Sequence, residues 1–240
     1  MVLESNTFEY NLFLALTIII VLVKFSISLY LGKRKKEKKK ERGEIKFDFL
    51  FGIFFLFVCL FLSRIFYMIF DFGLTEFDPN LYYLTPNIYV YKTAELISFL
   101  GYIVAVYIID KELIDFKLKG SLAYIIIIIS VVYLLYPVSN QADFEVISLL
   151  GLIGNFMIII IIIIFVYVGI QTPSIRRYTF IMAAGVLIYG IGANLVTETL
   201  VSSLELILGP VIRIILYLGF LILKTAGLLM MAYGVVKFSQ

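Results

Sequence analysis

Apolar positions run nearly unbroken along this chain for stretches of about membrane width, interrupted by short polar segments. Seven such stretches can be drawn, at 9–31, 47–71, 86–109, 121–137, 144–170, 174–198 and 206–236. A helix of about 20 apolar residues crosses the hydrocarbon core of a bilayer. The pattern therefore predicts an all-α, polytopic membrane protein: a seven-transmembrane helix bundle forming one domain over residues 1–240. Boundary residues support several of the stretches. Thr85-Pro86 and Thr172-Pro173 each place a capping hydroxyl before a proline, the order expected at a helix start. Ser121 is a candidate cap for the fourth stretch, and Pro137 ends it.

The charged residues orient the bundle. Nine of the 20 Lys and Arg residues lie between Lys33 and Lys46, in what reads as the loop after the first stretch. Lys111, Lys117 and Lys119 fall in the third connection, Arg176 and Arg177 in the fifth, and Lys237 at the C-terminal end. The alternate connections and helix ends carry acids instead: Glu9, Asp71, Glu76, Asp78, Asp143, Glu145 and Glu205. Short Lys/Arg-rich connections stay on the cytoplasmic side, so the expectation is an N-terminus outside, a C-terminus inside and a multi-pass protein of the cell membrane.

Composition narrows the chemistry. The chain is 62% hydrophobic and 15% charged, with one cysteine, no histidine and no tryptophan. A single Cys59 forbids an intrachain disulfide. The absence of histidine removes His-ligated zinc sites and Ser-His hydrolases. No nucleophile–base pair or metal-ligand cluster is visible, and the expectation is that the chain is not an enzyme. The acidic start, with Glu4 and Glu9 and no Lys or Arg in the first ten residues, is the opposite of a signal peptide's basic beginning.

The candidate site is read from ionisable groups inside the stretches, which are costly in hydrocarbon and usually face a bundle interior. Tyr91, Glu95, Ser98 and Tyr102 are spaced to share one helix face, and Arg64, Tyr67 and Asp71 share another. Arg64 and Glu95 are expected to pair, with Lys92 competing for the same carboxylate or reaching the interface. Asn155 and Asn194 add polar groups in the outer half. Lys24 is expected to snorkel to the inner surface. Arg213 touches the outer interface if its helix starts at Pro210 and lies deeper if it starts near Ser203. Lys224, far from any other charge on its stretch, is neutral, paired with Glu95, or a Schiff-base lysine. The same groups fit either a ligand site or a closed polar network that specifies packing. Small residues at Ala183, Ala184, Gly185, Gly190, Gly192, Gly219 and Gly227 mark helix contacts.

A mid-membrane lysine on the seventh helix facing an acid on the third resembles the microbial rhodopsins, and Lys92-Thr93-Ala94-Glu95 is similar to their basic-x-x-acidic stretch. The resemblance implies retinal on Lys224 with Glu95 as counterion. The chain departs from that family at Phe220, where an acid is usual, in lacking tryptophan, and in lacking proline within 174–198.

Three functions remain open. The first is a receptor-like or sensory protein with an outer-half pocket around Arg64, Glu95, Asn155 and Asn194, covered by the aromatic 72–85 segment and signalling through a separate partner. The second is a small transporter or channel using Arg64, Glu95 and Lys224. The third is an accessory subunit of a membrane complex, and a homo-oligomer is open as a partner in any of the three. The Lys33–Lys46 run is expected to attract anionic lipid headgroups or a cytoplasmic protein; lacking interleaved aromatics, it does not suit nucleic acid.

Overall fold

A computed structural model describes residues 7–44, 47–196, 198–209 and 211–239, without the side chains of 41–42, 152–158, 198–199 and 202. Among the described residues there is no strand. The chain forms α1 (Phe8–Arg42), α2 (Phe49–Met68), α3 (Asn87–Leu113), α4 (Ser121–Leu135), α5 (Gln141–Gln171), α6 (Arg176–Asn194), α7 (Glu198–Leu208) and α8 (Val211–Phe238). Four apolar helical segments, Phe8–Lys40, Phe49–Leu74, Asn87–Leu113 and Val211–Phe238, are long enough to cross a membrane. Ser121–Leu135 and Ile159–Gln171 are apolar but shorter. This is the build of a membrane protein.

The helix starts are set by short polar side chains, though not always the expected ones. Thr7 accepts from the Tyr10 N–H, Asp48 from the Phe51 N–H and Asn140 from the Asp143 N–H, each satisfying a backbone donor that has no partner within its helix. Thr85 and Thr172 do not cap. Pro86 itself occupies the cap position of α3, while Thr172 ends α5 and α6 begins after Ile175. Ser121 is the first residue of α4, and Gly120 precedes it at φ 73°.

The basic run is not a loop. α1 continues through it to Arg42, because nothing from Lys33 to Arg42 breaks a helix and Lys, Arg and Glu all favour one. Gly43 ends it in the left-handed conformation (φ 80°), its N–H donating to the Lys39 carbonyl. Lys35 pairs with Asp48 at 2.7 Å, tying the extension to the start of α2, and Lys38 donates to the Ser239 carbonyl near the end of α8. The last apolar stretch is also divided. Gly209, at φ 84°, separates α7 from α8, so the long helix starts at Val211 rather than 206.

Helices α1 to α6 pack in sequence, α6 packs on α8, and α8 returns to α1, closing a ring. Two seams hold it tightly. On the α6–α8 seam a Cβ on Gly227 would lie 2.6 Å from the Gly185 carbonyl oxygen, and one on Gly192 would lie 3.0 Å from the Lys224 nitrogen. Backbone thus touches backbone, as association in lipid favours. On the α2–α3 seam a Cβ on Gly101 would lie 2.7 Å from that of Cys59. Both seams run past the polar centre of the ring.

Candidate functional site

The polar side chains converge on one cavity of about 150 Å³ inside the ring. That is the share of liquid volume of roughly five waters. Its walls come from six helices, α1, α2, α3, α5, α6 and α8. Of the residues expected from sequence, Arg64, Tyr67, Glu95, Ser98, Tyr102 and Lys224 line it together.

Several of them are held by side chains of neighbouring helices. Ser98 donates to the Ser63 hydroxyl at 2.7 Å across the α2–α3 seam. Tyr67 and Glu95 line the cavity together. Glu95 also lies against bare α5 backbone: a Cβ on Gly151 would sit 2.6 Å from its Oε1. Arg64 does not pair with Glu95. Its Nη2 donates to the Thr17 hydroxyl at 3.2 Å, its Nη1 lies 3.9 Å from Asp71, and its buried Nε has no hydrogen-bond partner among the described residues. Asp71, two turns along the same face of its own helix, reaches the guanidinium before Glu95 does.

The remaining expected residues are placed elsewhere. Lys92 does not reach Glu95. It is buried and donates to the carbonyls of Leu134 and Tyr136, at 3.3 and 2.7 Å, where a cation meets the negative end of α4. Tyr91 stacks edge-on against Tyr67 and packs on Phe70 and Phe144, one layer away from the cavity. Asn194 is exposed and donates to the Gly190 carbonyl. The Asn155 side chain lies outside the described residues. Arg213 is both in the first turn of α8 and buried, pairing with Glu205 at 2.7 Å.

Six cavity residues have no counterpart in the site expected from sequence, and two of them, Lys24 and Tyr189, bring a cation and an aromatic ring into its wall. Lys24 does not snorkel. It is 3% exposed and donates to the Leu60 carbonyl at 3.1 Å. Seven residues from Thr17, it lies on the buried face of α1 with Ile20 and Leu31. Tyr189 on α6 stands between two ammonium groups, with Lys24 Nζ 5.9 Å and Lys224 Nζ 5.6 Å from its ring centre. It sits four residues after Gly185 and three before Gly192, on the face that approaches α8 most closely.

Lys224 contacts rings rather than acceptors. Its Nζ is 4.4 Å from the Phe220 centroid, and among the described residues it makes no hydrogen bond and no ion pair, Glu95 included. Phe220 belongs to an aromatic cluster with Tyr10, Phe13, Phe72 and Tyr217, bordered by Phe77 from the connection before α3. Tyr82 joins the separate cluster of Phe70, Tyr91 and Phe144. The connection's aromatics therefore divide between two clusters.

Retinal does not fit this arrangement. The cavity is small and ringed by hydroxyls and charges, the ammonium abuts Phe220 and Tyr189, and the crevice beyond Tyr102 and Tyr189 adds only about 30 Å³. No family model, curated protein or solved structure matches the chain.

Proposed function

We propose that the chain is a receptor-like membrane protein of seven spans, α1 to α6 and α8, with its N-terminus outside. The charge distribution along the sequence supports that orientation. Its ligand is a small polar molecule held in the central cavity, and its signal passes to a separate protein at the basic end. The observation that carries this reading is the cavity itself. A purely structural network would close its polar groups on one another, whereas here six helices leave a polar space between them.

A transport role is the second reading. The crevice lined by Ile109, Phe165 and Met231 shares Leu60, Tyr102 and Tyr189 with the cavity, and so continues it along the bundle. Towards the C-terminal end of α1, a groove of about 570 Å³ lined by Phe51 and Phe54 together with Lys33, Lys36 and Lys39 suits an anionic lipid headgroup.

The test is access. In a Cys59→Ala background, Ser63→Cys places the lone thiol at the cavity wall. A charged, membrane-impermeant thiosulfonate added to intact cells should label it from outside. Labelling only after permeabilisation, or none at all, would contradict an outward-facing site. Solute flux in liposomes that Glu95→Gln abolishes would favour transport over reception.

A further inference from the structure

The cavity is lined by three cations, Lys24, Arg64 and Lys224, and one acid, Glu95, with Asp71 behind Arg64 as a second acid. Beyond these groups, the described polar side chains of its walls are only the hydroxyls of Ser63, Tyr67, Ser98, Tyr102 and Tyr189. With all five groups ionised, one positive charge is left over in a region where an unbalanced charge costs several kcal/mol.

Hydrogen bonding is unbalanced in the same direction. A lysine ammonium has three donors and a guanidinium five. Lys24 uses one of its donors on Leu60, the Arg64 Nε has no acceptor, and Lys224 is 8% exposed with none of its donors engaged among the described residues. Surplus charge and surplus donors specify the same occupant, one that is negative, rich in acceptors and small enough for about 150 Å³. We infer that the cavity is a binding site for a small monovalent anion, of the size of chloride or acetate, held between Lys24, Arg64 and Lys224. Glu95 opposes the anion and limits its affinity. This rests on the cavity being a ligand site, as proposed above, and names the chemistry it selects.

The sole cysteine provides the readout. Cys59 is 3% exposed, so a maleimide dye that fluoresces on thiol addition reports unfolding. Protein exchanged into sodium gluconate is titrated with sodium chloride or sodium acetate at constant ionic strength, and anions released on denaturation are measured by ion chromatography. The expected result is a saturable rise in the unfolding midpoint and about one anion per chain. Lys224→Met and Arg64→Gln should each weaken that dependence by at least about tenfold. Glu95→Gln should strengthen it, an inversion that a merely structural role would not produce.

Equal midpoints in all three salts with no released anion would overturn the inference, and Lys224 would then be neutral. If the thiol introduced by Ser63→Cys is nonetheless labelled from outside in the Cys59→Ala background, the cavity remains a ligand site for an uncharged solute. If labelling fails as well, both readings fall.

Discussion

Two buried cations sit eleven residues apart on α8 and are treated in opposite ways. Arg213, 4% exposed, directs both Nε and Nη2 at one oxygen of Glu205, and its Nη1 lies 3.4 Å from the Tyr217 hydroxyl. Lys224, 8% exposed, meets two aromatic rings and a cavity. Lys92 follows the first pattern, with two carbonyls supplied by the end of α4. Where a cation serves the fold, the chain supplies the matching acceptor from an adjacent element. At the cavity it supplies rings, hydroxyls and too few acids. On the proposed reading, the difference separates a structural charge from one reserved for a partner outside the chain.

Removing the acceptor from the structural pair should have the largest effect. Glu205→Leu removes the carboxylate that accepts from Arg213 Nε and Nη2 and should cost about 3–5 kcal/mol, most of it recovered when Arg213→Met is added. Lys224→Met removes a charge that has no acceptor to strand, so in gluconate it should leave stability unchanged or raise it. The Cys59 maleimide midpoint measures both. A loss in Lys224→Met as large as that in Glu205→Leu would erase the distinction between the two cations.

The next effect concerns how α8 is held while it carries Lys224. Gly227→Ala brings a methyl to within 2.6 Å of the Gly185 carbonyl oxygen and of the Tyr189 nitrogen. Neither backbone can give way as a side chain would. Overpacking of this kind costs about 1–3 kcal/mol. Because Tyr189 lines the cavity on the same face of α6, the variant should also lose anion dependence in proportion. Gly219→Ala, whose Cβ would meet only the Leu195 side chain at 3.1 Å, is the control and should be milder on both counts.

Much of this is legible in the chain, and the failures share a cause. The apolar stretches mark where helices form, and the charges Arg64, Glu95 and Lys224 within them mark where they converge. What one helix's spacing leaves open is which neighbour reaches a side chain first. Depth alone pairs Arg64 with Glu95, but Asp71 lies seven residues along its own helix and Thr17 faces it from α1. Nearness to the basic end sends Lys24 to the surface, yet its place in the register of Thr17, Ile20 and Leu31 puts it on the buried face. Tyr189 has a signal too, flanked by the two glycines of the closest seam. Charge alone makes the basic run a loop, although ten residues of helix formers closed by a glycine describe a helical extension.

The smallest effect bears most directly on whether the cavity is wet. Ser98 and Ser63 share one hydrogen bond of 2.7 Å at the cavity wall, and both residues are buried, at 7% and 3% exposure. Such bonds between helices in membrane proteins average about 0.6 kcal/mol, while a buried hydroxyl left wholly unsatisfied costs about 1–3 kcal/mol. Ser98→Ala leaves the Ser63 hydroxyl facing the cavity. If solvent or an occupant reaches it, the loss should stay near the lower figure, and a double-mutant cycle with Ser63→Ala should return a coupling of the same size. A coupling of about 2 kcal/mol or more would mean that nothing replaces the lost partner. The walls would then be dry, and the unpaired donors of Lys224 would have to be explained by a neutral lysine instead of a bound anion.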